Sequence, residues 1–170
     1  MPLPSIGQEI PVACHASDTP LRVDALGLVT VDIKGGFRAR VEQEVQAGVK
    51  LKVVGFEMSG DSPVLGRVTL AWADLGTSPL SAVEVNGSSN YRNTMYFDWT
   101  LTIEKPPSGG GPMTLSGTKT AVLIGDQLTN YPPQGVGYQL QQPVDFAPAG
   151  NPGQVVASLQ QLSATVSYVP

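Results

Sequence analysis

From Thr94 to Lys105 the chain alternates without a slip. Met95, Phe97, Trp99, Leu101 and Ile103 hold the odd positions, and Tyr96, Asp98, Thr100, Thr102 and Glu104 the even ones. Side chains on a strand face opposite ways with a period of two, so this run predicts a long strand with one buried face. Runs of the same period recur along the chain, cut by Gly, Pro, Asn and Asp. Val29, Val31 and Ile33 share a face over Leu28–Ile33, and Phe37, Ala39, Val41 and Val45 share one over Phe37–Val45. Leu65–Trp72, Ser81–Val85, Met113–Ile124, a short Pro143–Phe146 and the end of the chain from Val155 continue the series. The fold class expected is all-β: an antiparallel β-barrel of the up-and-down, calycin-like kind with about 8–9 strands, a β-sandwich being the alternative.

The turns add detail. Gly35-Gly36 between two alternating runs predicts a hairpin with the loop Lys34–Gly36, which sets Ile33 beside Phe37 and Asp32 opposite Arg38. A second three-residue loop, Gln46–Gly48, would pair Val45 with Val49, Glu44 with Lys50 and Glu42 with Lys52. At Val53–Gly55 the alternation changes phase, which predicts a bulge that bends the strand and helps a sheet to close. Asp74–Leu80 reads as a loop and Asn86–Asn90 as a turn. Residues 1–20 contain four prolines and read as an extended arm with one edge strand near Ile10–Cys14, leaving 21–170 as a single folded domain. Asn130–Tyr138, with its prolines and two tyrosines, reads as a stiff loop over a cavity mouth.

Composition narrows the chemistry. Charged residues make up 14% of the 170, well below the usual share, and the net charge is −4 with no basic cluster. A nucleic-acid partner is therefore not expected. No apolar run reaches membrane-spanning length, so no membrane partner is expected either. Cys14 is the only cysteine, which excludes an intramolecular disulfide. The start of the chain lacks the basic and apolar regions of a leader, so the expected location is cytoplasmic, with a secreted mature form as the alternative. A homodimer is compatible with these features.

No catalytic signature stands out. His15 is the sole histidine, and on a strand it would face away from Cys14, so the two would not share a metal. There is no nucleophile elbow around any serine and no phosphate-cradling glycine loop; no metal or cofactor is expected. Glu57, Asp98 and Glu104 are carboxylates without a motif. What remains is recognition, or catalysis by shape. Phe56, Met58, Trp72, Met95, Phe97, Trp99, Tyr131 and Tyr138 are the candidate substrate-binding residues, because small-molecule pockets are mostly apolar with few polar groups. Tyr96 and Asp98, two apart on the polar face, are the candidate catalytic pair, since a buried carboxyl there could donate or accept a proton.

In architecture alone the expected fold resembles small bacterial β-barrel cyclases that close polyketide-like substrates without a cofactor. That resemblance implies a fold class and transfers no residue. The function expected is the binding of a hydrophobic small molecule inside the barrel. Its enzymatic form would be a cofactor-free cyclase or isomerase acting by conformational positioning. The competing expectation is a non-catalytic structural or carbohydrate- and surface-binding β-sandwich module, which an exposed aromatic platform at Trp72 or Trp99 would favour.

Overall fold

The computed structural model describes residues 3–73, 79–87 and 90–170. Among the described residues thirteen antiparallel strands form one sheet, and there is no helix. Three strands are long: β1 (Glu9–Val23), β2 (Gly27–Val45) and β3 (Gly48–Ser62). The other ten come as consecutive pairs in line with one another: β4 (Gly66–Trp72) with β5 (Ser81–Asn86), β6 (Asn90–Phe97) with β7 (Trp99–Ile103), β8 (Met113–Gly117) with β9 (Ala121–Leu128), β10 (Val136–Leu140) with β11 (Val144–Ala147), and β12 (Ala157–Leu159) with β13 (Ser163–Tyr168). β4 lies along Glu57–Ser62 of β3, for example, while β5 lies along Gly48–Leu51 of the same strand. The chain thus makes eight consecutive passes, each antiparallel to the last. The eighth returns to the first, with β13 along Val12–His15 and β12 along Leu21–Val23 of β1. Thirteen strands exceed the eight or nine expected because five of the passes are interrupted.

The run that opens the sequence argument is one of the interrupted passes. Its odd positions, Met95 to Ile103, are all buried, as the alternation requires. Fully burying such side chains contributes about 1.5–3 kcal/mol each, an upper figure because the unfolded chain already hides part of them. The strand nevertheless stops at Asp98, and the neighbouring pass stops opposite it, between β8 and β9. Met113–Ile124 is therefore two strands, not one. Thr120 donates its hydroxyl to Asp98 Oδ1 at 2.7 Å, tying the two gaps together. Residues 157–159 and 163–168 are strands, so the helical turn allowed by Val155–Leu162 does not form.

Three local expectations are corrected. Gly35-Gly36 is not a hairpin: β2 runs straight through it, with Gly35 opposite Cys14 on one side and Met58 on the other. A Cβ at Gly35 would overlap the carbonyl oxygen of Glu57, and one at Gly36 that of Val12. The glycines let three backbones crowd at a bend, so Asp32 and Arg38 lie along one strand and do not face each other. The second hairpin turns on Gln46-Ala47 alone, pairing Val45 with Gly48, Glu44 with Val49 and Gln43 with Lys50. The expected Glu–Lys pairs are lost, and Glu42 instead binds Arg40 at 2.8 Å. Residues 9–20, expected as part of an arm, belong to β1, paired on both sides. Its prolines are tolerated because they lie where the eighth pass has no ladder pair to lose: Pro11 accepts from Val169 N at 2.9 Å just past β13, and Pro20 from Gln160 N at 3.0 Å in the gap between β12 and β13. The bulge expected near Val53–Gly55 is present: Arg38 pairs with Gly55 and Ala39 with Val53, leaving Val54 over. Of the expected loop Asp74–Leu80 and turn Asn86–Asn90, residues 74–78 and 88–89 lie outside the described residues.

Candidate functional site

The inward faces of the eight passes make one continuous apolar interior. Its centre is aromatic. Phe56 lies 4.8 Å from Phe97 and 5.2 Å from Trp99, centroid to centroid, and Phe37 packs edge-on to Phe97 at 5.3 Å. Phe97 and Trp99 stack at 5.7 Å across the Asp98 gap. Such offset and edge-to-face pairs are each worth about 0.5–1.5 kcal/mol beyond burial. The Trp99 indole N–H is buried without a hydrogen-bond partner among the described residues.

On the β5 side of the cluster the interior holds a small polar group. Tyr138, on β10, donates its hydroxyl to Asn93 Oδ1 at 2.6 Å, and Asn93 Nδ2 donates to the Ala82 carbonyl at 3.0 Å. The Tyr138 ring lies over Gly125, where a Cβ would overlap it. Burial pushes the Cys14 thiol up to about 12 and raises the phenols of Tyr131 and Tyr138. Tyr131 and Cys14 also act electrostatically on Tyr138, so the three share one neighbourhood.

On the β4 side lies a void of about 20 Å³ walled by Leu21, Val31, Leu70, Leu101, Phe146 and Leu159 among others, with Thr19 the one polar residue in its wall. That is room for a single water-sized occupant, far below the roughly 300 Å³ that a drug-sized guest takes. The more spacious concavities are open to solvent. One of about 820 Å³ crosses β1–β3 beside the Gly35 bend and is lined by His15, Asp32, Lys34, Ser59, Asp61 and Arg67 among others.

Of the candidate substrate-binding residues, Phe56, Met58, Met95, Phe97, Trp99, Tyr131 and Tyr138 are all buried, and Trp72, paired with Trp99, is half-buried. Phe56, Phe97 and Trp99 touch one another, while Tyr138 stands apart with Asn93. Tyr138 sits in a strand and points into the core, so it is not part of a lid. Buried, Trp99 offers no platform. Tyr96 is half-buried, and its N–H donates to Ser81 Oγ at 3.0 Å. Asp98 is buried at the gap with Thr120. Glu57 and Glu104 are exposed, so they do not form an enclosed pair with Asp98. Cys14 faces in and His15 out, as a strand demands. Thr19, Asn93, Thr120 and Gly125 went unnoticed in the sequence. Two of them carried a signal there: Asn93, a polar residue in phase with the buried face two places before Met95, and Thr19, which follows the change of parity between Ala16 and Leu21.

The fold and its interior define a class, an all-β chain whose antiparallel sheet returns to its own first strand around an apolar core. No family model matches the chain, and no curated protein matches it. Among solved structures it is similar to DynF from the dynemicin biosynthesis pathway of Micromonospora chersina, with a TM-score of 0.77 over 99% of this chain and 83% of that one, at 20% identity. At that identity the likeness is one of fold. No helix among the described residues is long and apolar enough to cross a membrane.

Proposed function

We propose that the protein binds a small hydrophobic molecule in its interior, the closed eight-pass sheet serving as an up-and-down, calycin-like barrel around the guest. The observation that carries this reading is the β4-side void: an apolar space within the core, walled from several passes at once. The guest enters by pushing side chains such as Phe146 and Leu159 aside, since the void as it stands holds only a water-sized body. The likeness to a protein of a natural-product pathway supports the same reading. Its enzymatic form is a cofactor-free cyclisation or isomerisation in which the walls hold a flexible, polyketide-like substrate near its reactive conformer. Asp98 and Tyr96 are the groups to test for proton transfer; Asp98→Asn with unaltered turnover would remove that role.

Native mass spectrometry of freshly purified protein is the direct test, and a co-purifying small molecule is the expected result. Bare polypeptide alone, together with methyl resonances of Val31, Leu101 and Leu159 that ignore added apolar compounds, would leave a structural module as the better account.

A further inference from the structure

Thr19 is turned inward by a bulge in β1, together with Leu21 and Val23. Ile10, Val12, Cys14 and Ala16 put the even positions of β1 inside, whereas Leu21 and Val23 put odd positions inside. The phase changes between Ala16 and Thr19, which span three steps of β1 against the two from Ile33 to Val31 on β2. The extra residue is taken up with Asp18 at φ 51°, a left-handed conformation that side-chain-bearing residues adopt seldom. Asp32 Oδ1 holds that turn by accepting the Asp18 N–H at 2.7 Å. Bulges commonly re-aim a side chain, and strained backbone collects where it serves a purpose. The first side chain re-aimed here is Thr19. Its hydroxyl is buried and has no hydrogen-bond partner among the described residues, and Thr19 is the one polar residue lining an otherwise apolar void.

A buried hydroxyl without a partner is costly, and few native ones are left so. One water would fit the space of about 20 Å³. It would, however, find Thr19 as its one polar side chain, whereas buried waters make about three hydrogen bonds. An apolar molecule bringing a single acceptor satisfies the hydroxyl and leaves nothing of its own unmade. A carboxylate fits poorly, because no cation lines the void and an unpaired buried charge is worse than an unpaired hydroxyl.

Resting on the interior-binding reading, we infer that Thr19 is the polar anchor of the guest site. The guest class is an apolar molecule with one uncharged oxygen acceptor: a ketone, aldehyde, ester or ether. Cyclohexanone and methylenecyclohexane differ only in that oxygen and serve as the probe pair, with the methyl resonances of Val31, Leu101 and Leu159 as the readout. Thr19→Val keeps the shape and removes the hydroxyl. It should weaken cyclohexanone about tenfold while leaving methylenecyclohexane as tight or tighter, and Thr19→Ser should keep the preference for the ketone. Without any ligand, Thr19→Val should raise Tm by about 2–4 °C, because it removes an unsatisfied group. A fall in Tm would mean that the hydroxyl has a partner in the protein, and equal loss of both probes would mean that Thr19 matters only for packing; either overturns the inference. If wild-type methyls respond to neither probe, the interior-binding reading itself fails, and the anchor with it.

Discussion

Replacing Gly125 with alanine puts a methyl group where the Tyr138 ring lies. That ring is fully buried and has no solvent to move into, so it must tilt within the core. Overpacking of this kind costs about 1–3 kcal/mol. Tilting also draws the phenol away from Asn93 Oδ1, now 2.6 Å distant, and strands a buried carbonyl at a further cost of about 1–3 kcal/mol. The two together are a large part of the roughly 5–15 kcal/mol that holds a domain folded. Tyr138→Phe isolates the hydrogen-bond part and should cost about 1–3 kcal/mol by itself. In the Tyr138→Phe background Gly125→Ala has no bond left to break, so its cost should shrink by about 1 kcal/mol or more. Urea unfolding followed by tryptophan emission measures all four proteins, since Trp99 leaves a dry aromatic cluster on unfolding. Costs that add to within about 0.5 kcal/mol would refute the reasoning, because the ring would then be making room without releasing Asn93.

Other outcomes follow from the same packing. Gly35→Ala drives a Cβ into the Glu57 carbonyl, which as backbone cannot give way; a loss above about 3 kcal/mol is expected, and a melting curve like wild type would show that the strands do not crowd there. Burial holds the Cys14 thiol neutral up to about 12 against an ordinary 9.0, so the folded state keeps a proton that the unfolded chain sheds. Its contribution is complete below pH 9.0 and is lost as pH rises toward 12, and Cys14→Ala should flatten the stability profile over that interval in urea melts. The raised phenols of Tyr131 and Tyr138 act in the same direction above their ordinary value of 10.0. Thr120→Val removes the hydroxyl bonded to Asp98 and should cost about 1.5–3 kcal/mol, as bonds to charged groups do; an unchanged urea midpoint would mean the two gaps need no tie.

Much of the fold was legible because burial imposes a period on sequence. The face carrying Met95 to Ile103, the bulge at Val54 and the near position of the Gln46-Ala47 turn all follow from local pattern. Gly35-Gly36 misled because two glycines between alternating runs are also the usual mark of a tight turn. Only the approach of Glu57 and Val12 from neighbouring strands, invisible in the chain itself, shows that a bend needs them. Prolines at 11 and 20 hid β1 for a related reason: whether a missing N–H matters depends on what lies beside it. The break at Asp98 leaves the alternation untouched, so nothing local betrays it. The step from Ala16 to Leu21, where the inward set changes parity, was in plain view and would have exposed Thr19.

A sheet whose eighth pass meets its first gives each long strand a neighbour on both flanks, although among the described residues Gly27–Ile33 of β2 pair with β1 alone. Proteins with a bare flank can recruit a foreign segment backbone to backbone, and fibrils grow in that way. Here that route is narrowed to the start of β2, so self-association or capture of another polypeptide elsewhere must work through outward side chains and be sensitive to their charge. Heating short of unfolding should accordingly leave the protein free of thioflavin-positive material, and aggregation should begin only once the seam between Val12–His15 and β13 has parted.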